Sequence, residues 1–157
     1  EKGVIPLLRD GVVVATLQAA NWKEAATATI GDQQWVYAKQ KGVLTARWAI
    51  DPEGTARFTA RQTSFWKGTW TVDLDGVQVE VASASVWKGT HRYTVAGRPV
   101  GESGTAGRWS MRPTLTLDQT MPLHHQVFLL WLEMIISRRN TAAMTAATGA
   151  AVAGGTS

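Results

Sequence analysis

A repeat of about 21 residues runs through most of the chain, and three of its copies pair tryptophan with lysine. Trp66 and Trp87 are 21 residues apart, and Trp87 and Trp109 are 22 residues apart. Each Trp-Lys pair is followed after nine or ten residues by a glycine, in the combinations Trp22 with Gly31, Trp66 with Gly76, and Trp87 with Gly97. Such a unit has room for a strand, a turn at the glycine and a second strand, so the repeat predicts a series of β-hairpins.

The residues between these marks alternate between apolar and polar side chains. Trp70, Val72 and Leu74, for example, are separated by Thr71 and Asp73. A period of two is typical of strands with one face in a core and the other in water. Turn-forming combinations of Gly with Asp or Pro separate the segments, at 9–11, 30–32, 51–54, 73–76 and 96–99. About twelve candidate strands result between residues 4 and 118, and their spacing predicts an antiparallel meander or β-barrel of hairpins. Together with the helix that follows, the predicted domain covers residues 1–140.

The same alternation makes a prediction about the Trp-Lys pairs. Neighbouring residues of a strand point to opposite faces, so if the three tryptophans Trp22, Trp66 and Trp87 enter the core, their lysines point outward. The equivalent positions of the pairs place Lys23, Lys67 and Lys88 toward one end of the barrel, with Gly31, Gly76 and Gly97 toward the other. The lysines then form either a cationic rim with a function or a solubilising fringe at the strand ends.

A helix is predicted at about 121–139, beginning near Pro122, with Asp118 or Thr120 as its cap. Its apolar residues cover every face, which is typical of a helix enclosed by protein or lipid. A wide barrel needs filling, so we expect this helix, about 25 Å long, to thread through it. The core residues are expected to be Phe128, Leu129, Leu130, Trp131, Leu132 and Ile135. A buried Glu133 would then need an inward arginine or a hydrogen-bonded niche.

Composition limits the remaining possibilities. Hydrophobic residues make up 45% of the 157, cysteine is absent, and the net charge is +4. Disulfide frameworks and thiol nucleophiles are therefore excluded, whereas the basic bias is too small to indicate nucleic acid by itself. The apolar stretch at 127–136 is short for a membrane span, which needs about 20 residues. Residues 141–157, rich in Ala, Thr and Gly, are expected to form a flexible tail.

A Trp-rich antiparallel barrel followed by an apolar C-terminal helix resembles the tubby C-terminal-like superfamily, which includes LURP-one-related proteins and phospholipid scramblases. Small bacterial members end in a similar way to this chain at 121–123, 128–132 and 138–139, followed by an Ala-rich tail. The resemblance covers about residues 1–140 and implies a twelve-stranded barrel around a central hydrophobic helix. It also implies roles at membranes: tubby domains bind phosphoinositide headgroups through basic residues, and scramblase-like members can bind calcium. No phosphoinositide motif maps onto particular positions of this chain.

No motif of catalysis or cofactor binding is present, and we expect a protein that is not an enzyme and needs no cofactor. The sequence contains no nucleophile elbow, phosphate-binding loop or dinucleotide fingerprint. His124 and His125 are adjacent and so would lie about 100° apart on a helix, which favours a place near the barrel mouth over a metal site. Asp73 and Asp75 before Gly76 are better explained by a turn than by a calcium loop.

Three functions remain, and the first is a peripheral module that binds anionic lipid or phosphoinositide headgroups. Its candidate residues are Lys23, Lys67, Lys88 and Arg92. The alternative is a protein-interaction or scaffold domain without a lipid role. Single-stranded nucleic acid is disfavoured because alternation sends Trp and Lys to opposite faces, and exposed Trp66 and Trp87 would revive it. We expect a cytoplasmic monomer, peripheral at the membrane if the first function holds.

Overall fold

The computed structural model of the protein describes residues 3–21, 23–106 and 112–155. Eleven strands form one antiparallel sheet in chain order, followed by a single helix. The strands are β1 Val4–Arg9, β2 Val12–Ala19, β3 Ala26–Ile30, β4 Gln33–Gln40, β5 Val43–Trp48, β6 Phe58–Ser64, β7 Thr69–Leu74, β8 Val77–Ser85, β9 Thr90–Val95, β10 Arg98–Ala106 and β11 Arg112–Leu117, and the helix is α1 Leu123–Gly155. The prediction of a mainly antiparallel β-protein with a C-terminal helix is confirmed.

The expected closed barrel of twelve strands differs from what the structure contains. In the described part of the chain there are eleven strands, and β1 and β11 are the two edges of an open sheet. Both edge strands run in the same direction, because each strand reverses the one before it. Pro6 in β1 and Pro113 in β11 each remove a backbone N–H from an edge, which protects an open sheet against uncontrolled strand pairing.

Tight turns and alternation explain the regular strands. Asp10, Lys41, Asp75 and Ala96 have positive φ angles of 50–56° and each precedes a glycine with positive φ, the geometry of two-residue hairpin turns. Along β7, Trp70, Val72 and Leu74 are buried, as their alternation predicted. The strands therefore present one continuous apolar face to the helix.

The sheet curves around the first half of α1. Residues on every side of this helix segment are buried, among them Phe128, Leu129, Trp131, Leu132 and Ile135. Leu130 is only half-buried. Helix side chains meet partners from well-separated strands: Arg9 of β1 donates to Gln126, Tyr37 of β4 packs on Phe128 and Trp131, and Tyr93 of β9 donates to Glu133.

The helix is longer than the predicted 121–139 segment. It begins at Leu123, directly after Pro122, and the described part continues through Gly155, into the stretch expected to be a flexible tail. Alanine has the highest helix propensity, and no proline interrupts the segment. The Thr141 and Thr145 hydroxyls donate to the carbonyls of Ser137 and Thr141, so these polar groups are satisfied within the helix.

Candidate functional site

The two ends of the sheet carry opposite charges. Because strands alternate in direction, the β2–β3, β4–β5, β6–β7 and β8–β9 connections lie at one end, which we call the basic end. Every lysine within a described connection lies there: Lys23, Lys41, Lys67 and Lys88. The helix also leaves the sheet at the basic end, because Arg139 of α1 donates to Glu24 in the β2–β3 connection.

The other end, which we call the acidic end, holds the remaining connections and the start of the helix. The carboxylates of its connections are those of Asp10, Asp32, Asp51, Glu53, Asp75 and Asp118. Gly31, Gly76 and Gly97 also lie at this end. Arg57 is one of its cations, but its guanidinium Nε is 2.7 Å from the Asp51 carboxylate, which neutralises it. Among described connections, Glu24 is the only acidic residue at the basic end.

Trp66 and Trp87 do not enter the core, and the prediction that they would is wrong. Their side chains are 93% and 99% exposed, respectively. They lie in two matching turns, residues 64–69 between β6 and β7 and residues 85–90 between β8 and β9, which we call the Trp turns. The third tryptophan of the repeat, Trp22, lies outside the described residues, as does Trp109.

The Trp turns share a local structure that ends the strand alternation. In each, a serine hydroxyl accepts the backbone N–H of the lysine: Ser64 from Lys67 at 3.1 Å, and Ser85 from Lys88 at 3.2 Å. Gly68 and Gly89 follow with φ angles of 63° and 65°, a left-handed conformation that favours glycine. The shared pattern Ser-x-Trp-Lys-Gly-Thr is therefore a turn signal.

A register shift precedes each turn. The pairing of β6 with β7 shifts between Gln62 and Ser64, and that of β8 with β9 shifts between Ser83 and Ser85. An extra residue in one strand moves all later side chains out of the expected alternation. The Trp-Lys pairs themselves lie beyond the last strand residues, within the turns, so Trp and Lys no longer have to point to opposite faces.

The predicted lipid-binding residues are placed in two different surroundings. Lys23, Lys67 and Lys88 are exposed at the basic end, and none of them forms an ion pair with another described residue. Arg92 is also exposed but lies within β9, where it pairs in register with Glu102 of β10. A carboxylate at the opposing position makes the surface around Arg92 less positive than that around the turn lysines, from which Arg92 is also separated by its place within a strand.

A concavity of about 340 Å³ opens at the basic end beside the helix and is lined by Lys23, Glu24, Ala25, Ala38, Lys39 and Arg138. Glu24 organises its wall: it accepts two hydrogen bonds from Arg139, at 2.5 and 2.6 Å, and lies 3.1 Å from the Lys39 ammonium. The hydrogen bond from Arg139 is the main reason that the pKa of Glu24 is lowered. Because Arg139 takes up most of this carboxylate, the concavity keeps an excess of positive charge. Sequence reasoning missed Lys39 and Arg138, which only the packing of α1 on β4 brings together.

Glu133 lies in a buried hydrogen-bonded niche, the second of the two environments that its burial required. It is 4% exposed, accepts a hydrogen bond from the Tyr93 hydroxyl, and has an oxygen 3.2 Å from Nδ1 of His91. Burial, and then the charge of Glu133, raise the pKa of the Tyr93 hydroxyl well above its usual value. The His91 backbone N–H in turn donates to Ser103 at 2.7 Å. These groups satisfy one another, and none of them lines the concavity at the basic end.

His124 and His125 lie at the acidic end and pack on aromatic rings. The His124 ring stacks on Trp35 and Phe58 at centroid distances of 5.6 and 5.7 Å. Burial lowers the pKa of both histidines. Asp73 accepts the Gly76 N–H at 2.9 Å, which confirms that these residues form a turn. Within the described ranges, no group of three or more His, Asp or Glu side chains is arranged to hold a metal ion.

In the part of the chain that the structure describes, no helix combines the length and apolar character that a bilayer-spanning segment needs. No protein-family model, curated protein or solved structure matches this chain.

Proposed function

We propose that this protein is a non-catalytic module that binds the anionic surface of a membrane through its basic end. The observation that carries the proposal is the separation of charge between the two ends of the sheet. The turn lysines lie at the basic end, and six of the seven carboxylates in described connections lie at the acidic end. Such a distribution orients the molecule in the field of a negative surface, with the acidic end away from it.

The energetics favour a reversible attachment. A lysine or arginine near an anionic leaflet contributes about 1 kcal/mol of binding free energy. Lys23, Lys41, Lys67 and Lys88 can approach such a surface together, because all four lie in connections at one end of the sheet. The concavity lined by Lys23, Lys39 and Arg138 adds a recess in which an anionic headgroup, such as that of a phosphoinositide, could be held. Arg92 is expected to contribute less, since Glu102 opposes it.

Vesicle flotation tests the proposal. Native protein is compared on neutral, anionic and phosphoinositide-containing vesicles, at low and at physiological salt. We expect binding to anionic vesicles that weakens as salt rises, because screening shortens the range of the attraction. Flotation that does not depend on lipid charge, or no flotation, contradicts the proposal and directs the search to protein partners.

A pair of charge reversals controls for net charge. Lys67→Glu changes the basic end and Arg98→Glu changes the acidic end, and both residues are exposed. The two variants have the same net charge. We expect Lys67→Glu to weaken binding at least about tenfold, since a reversal removes one favourable charge and adds an unfavourable one, while Arg98→Glu has little effect. Equal losses in both variants would mean that net charge alone, without orientation, determines binding.

Single-stranded nucleic acid is a second candidate, and a specific observation favours it. Trp66 and Trp87 are exposed beside Lys67 and Lys88, and aromatic rings next to cations are what stacking platforms use. Fluorescence anisotropy with a labelled single-stranded oligonucleotide tests this candidate. Binding that is lost in the Trp66→Ser/Trp87→Ser variant would support it.

Membership of the tubby C-terminal-like superfamily is also a proposal. An antiparallel sheet that surrounds an apolar C-terminal helix supports it. The closed barrel of that superfamily would need one more strand between β1 and β11. Because these two edge strands run in the same direction, a single added strand could pair with both of them in antiparallel orientation. An experimental structure of the whole protein would test whether the sheet closes.

A further inference from the structure

The Trp turns expose four large apolar side chains at the basic end. Phe65 and Trp66 are 79% and 93% exposed in the first turn, and Val86 and Trp87 are 86% and 99% exposed in the second. Phe65 contacts Trp66 edge-on, with centroids 5.8 Å apart. The other exposed large apolar residues of the described chain lie in or next to connections of the acidic end, and Ile50 at 84% is the most exposed of them; the others are Leu8, Val12, Val13 and Val77.

The two turns are placed to act together. They are separated by strands β7 and β8, and neighbouring strands are about 4.8 Å apart, so the turns lie about 10 Å from each other along the rim. Both are fixed by the same serine-to-backbone hydrogen bond and the same left-handed glycine. The same local structure in both turns therefore holds the two apolar pairs, Phe65 with Trp66 and Val86 with Trp87, outward beyond the ends of their strands.

Exposed tryptophan, phenylalanine and valine next to lysine match the chemistry of the bilayer interface. Tryptophan concentrates at the headgroup level, and a lysine can extend its ammonium toward the phosphates while its stem stays in apolar surroundings. We infer that Phe65, Trp66, Val86 and Trp87 insert into the interfacial layer of an anionic bilayer, as a two-pronged wedge with Lys67 and Lys88 at the headgroups. This inference rests on the proposed function and adds an apolar component to its electrostatic one.

The side chains favour lipid over nucleic acid as the occupant. Stacking on bases requires flat rings, and the residue before tryptophan is aromatic in one turn but valine in the other. What the two positions share is apolar surface, which insertion into lipid buries equally well in both cases. Continuity with the lysines supplies the charge complementarity to an anionic leaflet.

The test uses the native protein and the double variant Trp66→Ser/Trp87→Ser on anionic vesicles that contain bromine-labelled acyl chains. Bromine quenches only tryptophans that reach the acyl region, so the difference between the two proteins isolates Trp66 and Trp87 from the other six tryptophans. We expect native fluorescence to be quenched on binding and the variant to be quenched less. Burying one large apolar side chain raises the affinity by roughly a factor of ten, so the loss of two tryptophans should make the variant bind about a hundredfold more weakly.

Two controls make the outcomes distinct. Ile50→Ser removes an equally exposed apolar side chain at the acidic end and should bind like the native protein. Lys67→Glu should weaken binding in a salt-dependent way, whereas the loss in the double tryptophan variant should persist at high salt. Near-UV circular dichroism and thermal unfolding confirm that all variants remain folded.

Each outcome decides something. If the native protein floats on anionic vesicles but the double variant binds and is quenched as the native is, the wedge is wrong while the electrostatic function stands. If nothing floats and the oligonucleotide binds through Trp66 and Trp87, both the wedge and the membrane function are overturned in favour of nucleic acid. If neither vesicles nor oligonucleotide bind, both are overturned.

Discussion

Trp66 and Trp70 are four residues apart in the chain, yet Trp66 is 93% exposed and Trp70 is 2% exposed. Trp70 is the second residue of β7 and points to the helix, whereas Trp66 lies in the turn that leads into this strand. The same contrast separates Trp35 and Trp131, both buried, from Trp87. The comparison teaches that residue type does not determine the burial of these tryptophans. What determines it is whether the residue lies within a strand or in the turn before the strand begins.

The largest expected effect is on the enclosed part of the helix. Trp131→Asp removes packing worth about 3–5 kcal/mol and also places a charge in the core, which together exceed the stability of a typical domain of this size. We expect no cooperative unfolding transition in a urea titration. Leu130→Asp should cost less, because Leu130 is half-buried.

Ser137→Asp is the matched control, since it adds the same charge at an exposed position of the same helix. It should unfold like the native protein. A cooperatively folded Trp131→Asp variant would show that the sheet does not enclose this part of the helix.

The two neighbouring tryptophans provide the most direct test of the comparison. Trp70→Ala should lower the free energy of unfolding by about 3–5 kcal/mol, since it leaves a cavity in the core. Trp66→Ala should change it by less than about 0.5 kcal/mol, as exposed substitutions generally do. Urea denaturation of both variants measures the difference. Similar losses would mean that Trp66 packs against the protein in solution.

A smaller effect is expected at the buried polar niche. Glu133→Leu leaves the Tyr93 hydroxyl and the His91 ring without their carboxylate, at a cost of about 1–3 kcal/mol for each buried group left unpaired. Glu133→Gln retains an oxygen acceptor and should cost less. Thermal unfolding ranks the variants, and a Glu133→Leu protein as stable as the native would contradict the role of the niche.

The smallest effect is expected from pH at the acidic end. Burial lowers the pKa of His124 and His125 below their ordinary value of 6.5, so the folded protein binds their protons less readily than the unfolded chain does. Stability from this source is present at neutral pH and is lost as pH falls through about 6.5 toward the lower folded pKa values. We expect the urea concentration at the unfolding midpoint to decrease when the pH is lowered from about 7.5 to about 5.5.

The double variant His124→Gln/His125→Gln lacks these two titrating groups. Its urea midpoint should fall less over the same range. An equal fall in both proteins would assign the pH dependence to other groups.

Much of the sheet could be predicted from the chain. Alternation identified the inward residues of β7, and Gly with Asp identified hairpin turns such as Asp75-Gly76. The apolar helix was also identified, because apolar residues cover all of its faces and this pattern is typical of an enclosed helix. The Trp turns were misread because Ser-x-Trp-Lys-Gly-Thr has the apolar content of a strand, and only its glycine and serine indicate a turn.

The end of the helix and the basic concavity show a different limit. Helix propensity in 141–155 is high, but the same composition is common in flexible tails, so the sequence permitted both. Lys39 and Arg138 are 99 positions apart and meet through the packing of α1 on the sheet. No local sequence pattern predicts that Lys39 and Arg138 line the same concavity.

Local hydrogen bonding and side-chain period are properties of the sequence, and they determined that this protein is an antiparallel sheet with an apolar helix. They also determined that the connections from β1 to β9 alternate between aspartate-bearing and lysine-bearing turns. Only the tertiary structure decided that the sheet stays open between β1 and β11, that Glu133 meets Tyr93 and His91, and that Lys39 and Arg138 line one concavity. The reason is physical: period and turn chemistry act over a few residues, whereas enclosure and exposure depend on where distant strands and the helix come to lie.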